Sequence, residues 1–211
     1  MYKVLIATAI TAVFASTAMA QSSVVTLKGA KQTQKGGLAN TQKVEIGNVK
    51  GKGQSRVNAR NLRQTQKGGL ANTQKIEIGN VKGKGTSKVT VNGVSQTQKG
   101  GLANSQKIKI GSVKGKGKSN VNATNIRQSQ KGGLANTQKI ELGNVKGKGS
   151  SNVTAKNIRQ SQKGGLANTQ KLVAGNVKGK GKSRVTIKNV SQSQKGGLAN
   201  TQSMKVGNVK N

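Results

Sequence analysis

Amides and ammonium groups, set at fixed intervals, are almost the only side chains in this chain that can do chemistry. The string Gln-Thr/Ser-Gln-Lys-Gly-Gly-Leu-Ala-Asn starts at Gln32, Gln64, Gln96, Gln128, Gln160 and Gln192, every 32 residues with no insertion. Two further amide positions lie within it and a third follows two residues after its end. They are Gln34, Asn40 and Gln42, then Gln66, Asn72 and Gln74, then Gln98, Asn104 and Gln106, then Gln130, Asn136 and Gln138, then Gln162, Asn168 and Gln170, and finally Gln194, Asn200 and Gln202. A primary amide both donates and accepts, so identical amides stacked at strand spacing can bond one another in a ladder. Lysines recur just as strictly. One series is Lys35, Lys67, Lys99, Lys131, Lys163 and Lys195; the other pairs Lys50 with Lys52, Lys82 with Lys84, Lys114 with Lys116, Lys146 with Lys148 and Lys178 with Lys180. An ammonium is a compact charge with three donors, suited to the phosphates or carboxylates of a polyanion.

Little else is available. The chain has 211 residues and a formal net charge of +35, from 38 Lys and Arg against three acids, Glu45, Glu77 and Glu141. It lacks His, Cys, Trp and Pro, and its only Tyr and Phe are Tyr2 and Phe14. A Ser–His or Cys–His nucleophile and a thiolate or imidazole metal site are therefore excluded. Three carboxylates a unit or more apart make no acid–base pair. Without aromatic rings there is no stacking platform for bases. An enzyme is not expected, and neither a cofactor nor a metal is called for.

Residues 1–20 read as a secretory signal. Lys3 supplies the positive start, Val4 to Phe14 is a short apolar stretch, and Ala18-Met19-Ala20 is a cleavage site. The apolar stretch is too short to span a bilayer, and no later segment is apolar enough to insert. The expected product is a secreted chain cleaved near Ala20, extracellular or at the cell surface, with residues 21–211 as one repeat domain.

The elements that must position the amides follow from the spacing. Apolar residues recur every second position, not every 3.6. From Leu70 one face reads Leu70, Asn72, Gln74, Ile76 and Ile78; the other reads Ala71, Thr73, Lys75 and Glu77. That is a strand with an inner and an outer face. A second strand turns Val57 and Ala59 inward, and a third short stretch runs from Leu62 through Gln64 and Gln66. Between them lie Lys-Gly-Gly, Gly-Asn and Lys-Gly-Lys-Gly corners, where Gly supplies positive φ. Strands at a fixed period predict an all-β fold: a parallel β-solenoid of about six coils with uncapped ends. Equivalent residues then stack ~4.8 Å apart. The inner columns should be those of Leu38, Val44, Ile46, Val49, Val57, Ala59 and Leu62, with Gln32, Gln34, Asn40 and Gln42 turned inward among them. The composition also fits a disordered chain, but disorder needs neither the strict period nor the alternation.

The ends also fit together on paper. Ser22 to Lys31 fills the columns of the last third of a unit, and Gln192 to Asn211 those of the first two-thirds. Copies set head to tail would miss continuity by one column. A head-to-tail homopolymer is expected.

The segment Val190 to Gln202, VSQSQKGGLANTQ, resembles the curlin repeats of bacterial curli fibres. Gln34, Gly36, Asn40 and Gln42, and their equivalents in each unit, stand in the places of the curlin Gln, Gly, Asn and later Gln. Here the Asn comes one place late, the later Gln comes early, the period is longer and the acidity of curlins is absent. The resemblance implies a strand–turn–strand coil in an extracellular, amyloid-like fibre, as in a biofilm matrix.

The charge bears on partners. Unit charges ~4.8 Å apart repel by ~0.9 kcal/mol in water, so each lysine column opposes stacking. Such columns keep subunits soluble, and also attract extracellular DNA, acidic polysaccharide or lipopolysaccharide by counterion release, without reading sequence. Two other readings stay open: a monomeric cationic adhesin or antimicrobial, and an ice-binding solenoid displaying the outward Ala39 and Thr41 columns.

Overall fold

The computed structural model describes residues 9–14 and 22–210. The chain is a parallel β-solenoid with a 32-residue coil, and every strand pairs residue for residue with its equivalent one unit away. In one coil the chain runs through Ala71–Ile78, then Val81–Gly83, then Thr86–Lys99. Stacking gives a seven-stranded sheet of the Ala71–Ile78 type and a six-stranded sheet of the short type. A third, seven-stranded sheet holds the long strands, Ser22–Lys28 included, with Lys31–Lys35 beside Gln54–Lys67. Register is fixed by composition: Ile76 meets Ile108 and Ile78 meets Ile110, and a slip of one residue would turn the whole inner face outward. Among the described residues, no helix is long and apolar enough to cross a membrane.

Alternation produces the core. Along Ala71–Ile78 the even positions are buried and the odd ones are not. One cluster runs down the axis from the Val44, Ile46, Val57, Ala59 and Leu62 columns, with fully enclosed members such as Ile78 and Ile110. A second, thinner cluster holds only Val49, Val81, Val113, Val145 and Val177.

Two features differ from the sequence reading. The Leu38 column is not internal. Leu38, Leu70, Leu102, Leu134 and Leu166 are each about half exposed, and Leu198 is 90% exposed. The reason is Asn72, whose Nδ2 turns back to donate to the Gly68 carbonyl and fills the inside of the turn, leaving Leu70 outside. The second and third strands are also one element, Gln54–Lys67, bent at Asn61. Asn61, Asn125, Asn157 and Asn189 hold φ of 54° to 56°, and Gly29 and Gly93 share their column. Asn and Gly are the residues that enter the left-handed region at least cost, which is why this column admits only those two.

Candidate functional site

The Gly68-Gly69 turn folds the arm Leu62–Lys67 back against Ala71–Ile78, so the amides of the two limbs face each other. Fifteen of the eighteen amide positions read from the sequence are buried: Gln34, Asn40 and Gln42 and their equivalents as far as Gln170. Gln194 is partly buried, while Asn200 and Gln202, on the last coil, are exposed. They occupy the same columns, and no coil follows them among the described residues.

Each buried glutamine makes bonds in two directions. Gln98 Nε2 donates along the stack to Gln66 Oε1 at 2.8 Å and across the arm to the carbonyls of Asn72 at 3.1 Å and Ser105 at 3.3 Å. Gln74 Nε2 donates to Gln42 Oε1 at 2.9 Å and to the Thr97 carbonyl at 3.2 Å. The Gln32 column runs alike, with Gln96 Nε2 on Gln64 Oε1 at 2.8 Å and on the Lys107 carbonyl at 3.3 Å. The backbone carbonyl fixes which end of each amide is nitrogen, and so fixes the sense of the ladder. Glutamines donate toward the N-terminal end. Asparagines donate the other way, Asn72 Nδ2 to Asn104 Oδ1 and Asn136 Nδ2 to Asn168 Oδ1, each at 2.9 Å. Buried polar groups cost free energy only when unpaired, so this amide core is tolerated without apolar filling.

Two further columns escaped the sequence reading. Asn48 accepts through Oδ1 from the Asn80 backbone N–H at 2.9 Å, and Asn176 accepts likewise from Asn208 at 3.1 Å. Ser55, Ser87, Ser119 and Ser151 are buried beneath the Gly47-type corner, with no partner for their hydroxyls among the described residues. The signal was present as an invariant Ser two places before each inner Val, but the mixed residues around it hide the column.

All sixteen lysines named above are exposed. Lys99, Lys131, Lys163 and Lys195 line an axial trough with Gly100, Gly132, Gly164 and Gly196. Lys50, Lys82, Lys114 and Lys146 stand along a second groove, whose other wall carries Glu45, Glu77 and Glu141. The acids are engaged by the neighbouring outer column: Lys43 lies 2.9 Å from Glu45, Lys75 lies 3.1 Å from Glu77, and Lys139 contacts Glu141. Where Lys109 replaces an acid, Lys107 reaches Glu141 of the next coil at 3.7 Å. Burial pushes the Glu141 carboxyl up, but the Lys139 hydrogen bond and the charges of Lys107, Lys139 and Lys109 outweigh it and leave it below the ordinary value. Glu45 shows the same balance, with Lys43 and Lys75 prevailing over burial. The lysine-glycine trough carries none of these three acids on its lining.

No protein-family model, curated protein or solved structure matches this chain.

Proposed function

We propose that this chain is a secreted structural subunit that stacks head to tail into amyloid-like extracellular fibres with a cationic, polyanion-binding surface. The observation that carries the reading is the directional amide ladder. Gln32 Nε2 and Gln42 Nε2 donate across their coil but meet no earlier glutamine among the described residues, while Gln192 and Gln202 hold the last Oε1 acceptors of the same columns. In the glutamine columns donors face one way and acceptors the other, and in the asparagine column the order is reversed. Two copies therefore match head to tail, and head to head would set donor against donor. The resemblance to curlin repeats and the secretory reading of residues 1–20 support the same conclusion. The cleavage site at Ala18-Met19-Ala20 lies outside the described residues.

The polyanion part rests on the uniform lysine columns. Regular positive charge along an axis attracts regular negative charge whatever the bases or sugars, with affinity that falls steeply as salt rises. Electron microscopy of purified residues 21–211, with and without DNA, tests both parts. Long unbranched fibres in either sample support the subunit reading, and fibres only with DNA make the lysine columns assembly sites. Discrete particles in both samples overturn it in favour of a monomeric cationic adhesin or antimicrobial. Thermal hysteresis would instead identify an ice binder, through the exposed Ala39 and Thr41 columns.

A further inference from the structure

Ala9–Phe14 forms a strand that pairs in parallel with Thr41–Ile46, from Ala9 opposite Thr41 to Phe14 opposite Ile46. That is the 32-residue offset of every other pair in the sheet. The same sheet ends on its far side with Ala199–Val206, which pairs only with Ala167–Ala174 among the described residues. Thr201–Val206 stands in the same columns as Ala9–Phe14, six units further along. The N-terminal strand therefore lies where the last strand of a preceding copy would lie.

We propose that the edge of Ala39–Ile46 covered by Ala9–Phe14 is the docking site for Ala199–Val206 of a second copy, and that residues 9–14 hold this site closed until they are removed. The proposal rests on the head-to-tail reading above. Three observations select the second copy as the lasting occupant. Asn40 Oδ1 is buried without a hydrogen-bond partner among the described residues, although Asn40 Nδ2 donates to Asn72 Oδ1 at 2.9 Å. The asparagine ladder ends with Asn168 Nδ2 on Asn200 Oδ1, so Asn200 Nδ2 of a preceding copy is the donor that Asn40 lacks. The last coil also departs from the repeat where it would meet Lys43 and Glu45. Ser203 replaces the lysine of its column, removing a repulsion, and Lys205 stands where it would face Glu45. Residues 9–14 match only in part: Thr11, opposite Lys43, is uncharged like Ser203, but Val13, opposite Glu45, brings no charge where Lys205 would. What favours them is attachment: a tethered strand competes at an effective concentration in the millimolar range.

The test compares elongation from preformed seeds, followed by light scattering and microscopy. Three proteins are used at about ten micromolar: the full chain, the full chain carrying Ile10→Pro and Ala12→Pro, whose N–H groups face Ala39–Ile46 by the alternation of this sheet, and residues 22–211. Proline cannot donate to the ladder and unseats the N-terminal strand. The shorter protein keeps the whole apolar cluster, which draws on Val25 to Val190. The expected result is elongation roughly 100-fold slower for the full chain than for the other two, set by tethered against free concentration. Equal rates for the full chain and residues 22–211 overturn the competition and leave the fibre reading intact. A proline variant as slow as the full chain also overturns it, because the block would then not be strand pairing. No elongation by any of the three overturns the fibre reading itself. In residues 22–211, Glu45→Lys should slow elongation and Lys205→Glu added to it should restore the rate. A Glu45→Lys variant that elongates at the parent rate removes the assigned register.

Discussion

Gly111 presses against Val121 so closely that a Cβ built on the glycine would lie 1.9 Å from Val121 Cγ2 and 2.7 Å from Ser119 Oγ. Its φ is +62°, so an alanine there meets both a steric and a backbone penalty. Gly111→Ala should lower stability by about 2–4 kcal/mol, read from the denaturant midpoint. Gly100→Ala is the control. Its φ is +69°, but its Cβ would find only Gly68 atoms at 3.8 Å, so about 1 kcal/mol is expected. Equal losses at the two positions would show that the corner is not close-packed.

Gln98→Leu keeps much of the side-chain volume and removes every amide bond. Gln66 Oε1 and the Asn72 and Ser105 carbonyls lose a donor, and Gln130 Nε2 loses the Gln98 acceptor. Buried groups left unpaired cost about 1–3 kcal/mol each, so a loss of about 2–4 kcal/mol is expected after partial relaxation. Gln194→Leu, at the partly exposed end of the same column, should cost about 1 kcal/mol or less. Equal effects would mean that the inner amides are not energetically coupled.

Ser112 interrupts the Asn48 column. Its own backbone N–H is held by Asn80 Oδ1 at 2.9 Å, but its hydroxyl is buried without a partner among the described residues. Ser112→Asn restores the side chain that Asn48, Asn80 and Asn176 use to bind the next coil's backbone. Its expected effect is a gain of about 1 kcal/mol, seen as a higher melting temperature. A lower one would show that the site is too tight for the amide.

The carboxylates set a pH dependence. The folded values of Glu45 and Glu141 lie below the ordinary value, so their contribution is complete above the ordinary carboxylate range. It is lost as pH falls through the folded values. Melting temperature should therefore decline between about pH 6 and about pH 2, and Glu141→Gln should flatten part of that decline. An unchanged slope in the variant would remove Glu141 as a contributor.

The inward amides were legible because Gln32, Gln34, Asn40 and Gln42 keep strand parity with Val44 and Ile46. Parity failed at Leu38. It sits in a turn, where a side chain's direction depends on backbone dihedrals and on the returning Asn40 amide, which period-two reasoning does not contain. The bend at Asn61 was missed for a related reason: its column mixes Asn with Gly93 and sits inside an otherwise continuous strand pattern. The sense of the ladders was not legible at all. It depends on which carbonyl each amide nitrogen meets across the arm, and that is a property of the folded coil.

Identical coils joined only to their neighbours also define a mechanical response. A chain pulled from its end gives way at the outermost coil first, because that coil has one neighbour where inner coils have two. Each 32-residue coil that peels off releases on the order of 110 Å of slack at ~3.4 Å per residue, while the coils behind it keep their ladders. Such a molecule yields in equal steps under load, lengthening by sacrificing one turn at a time.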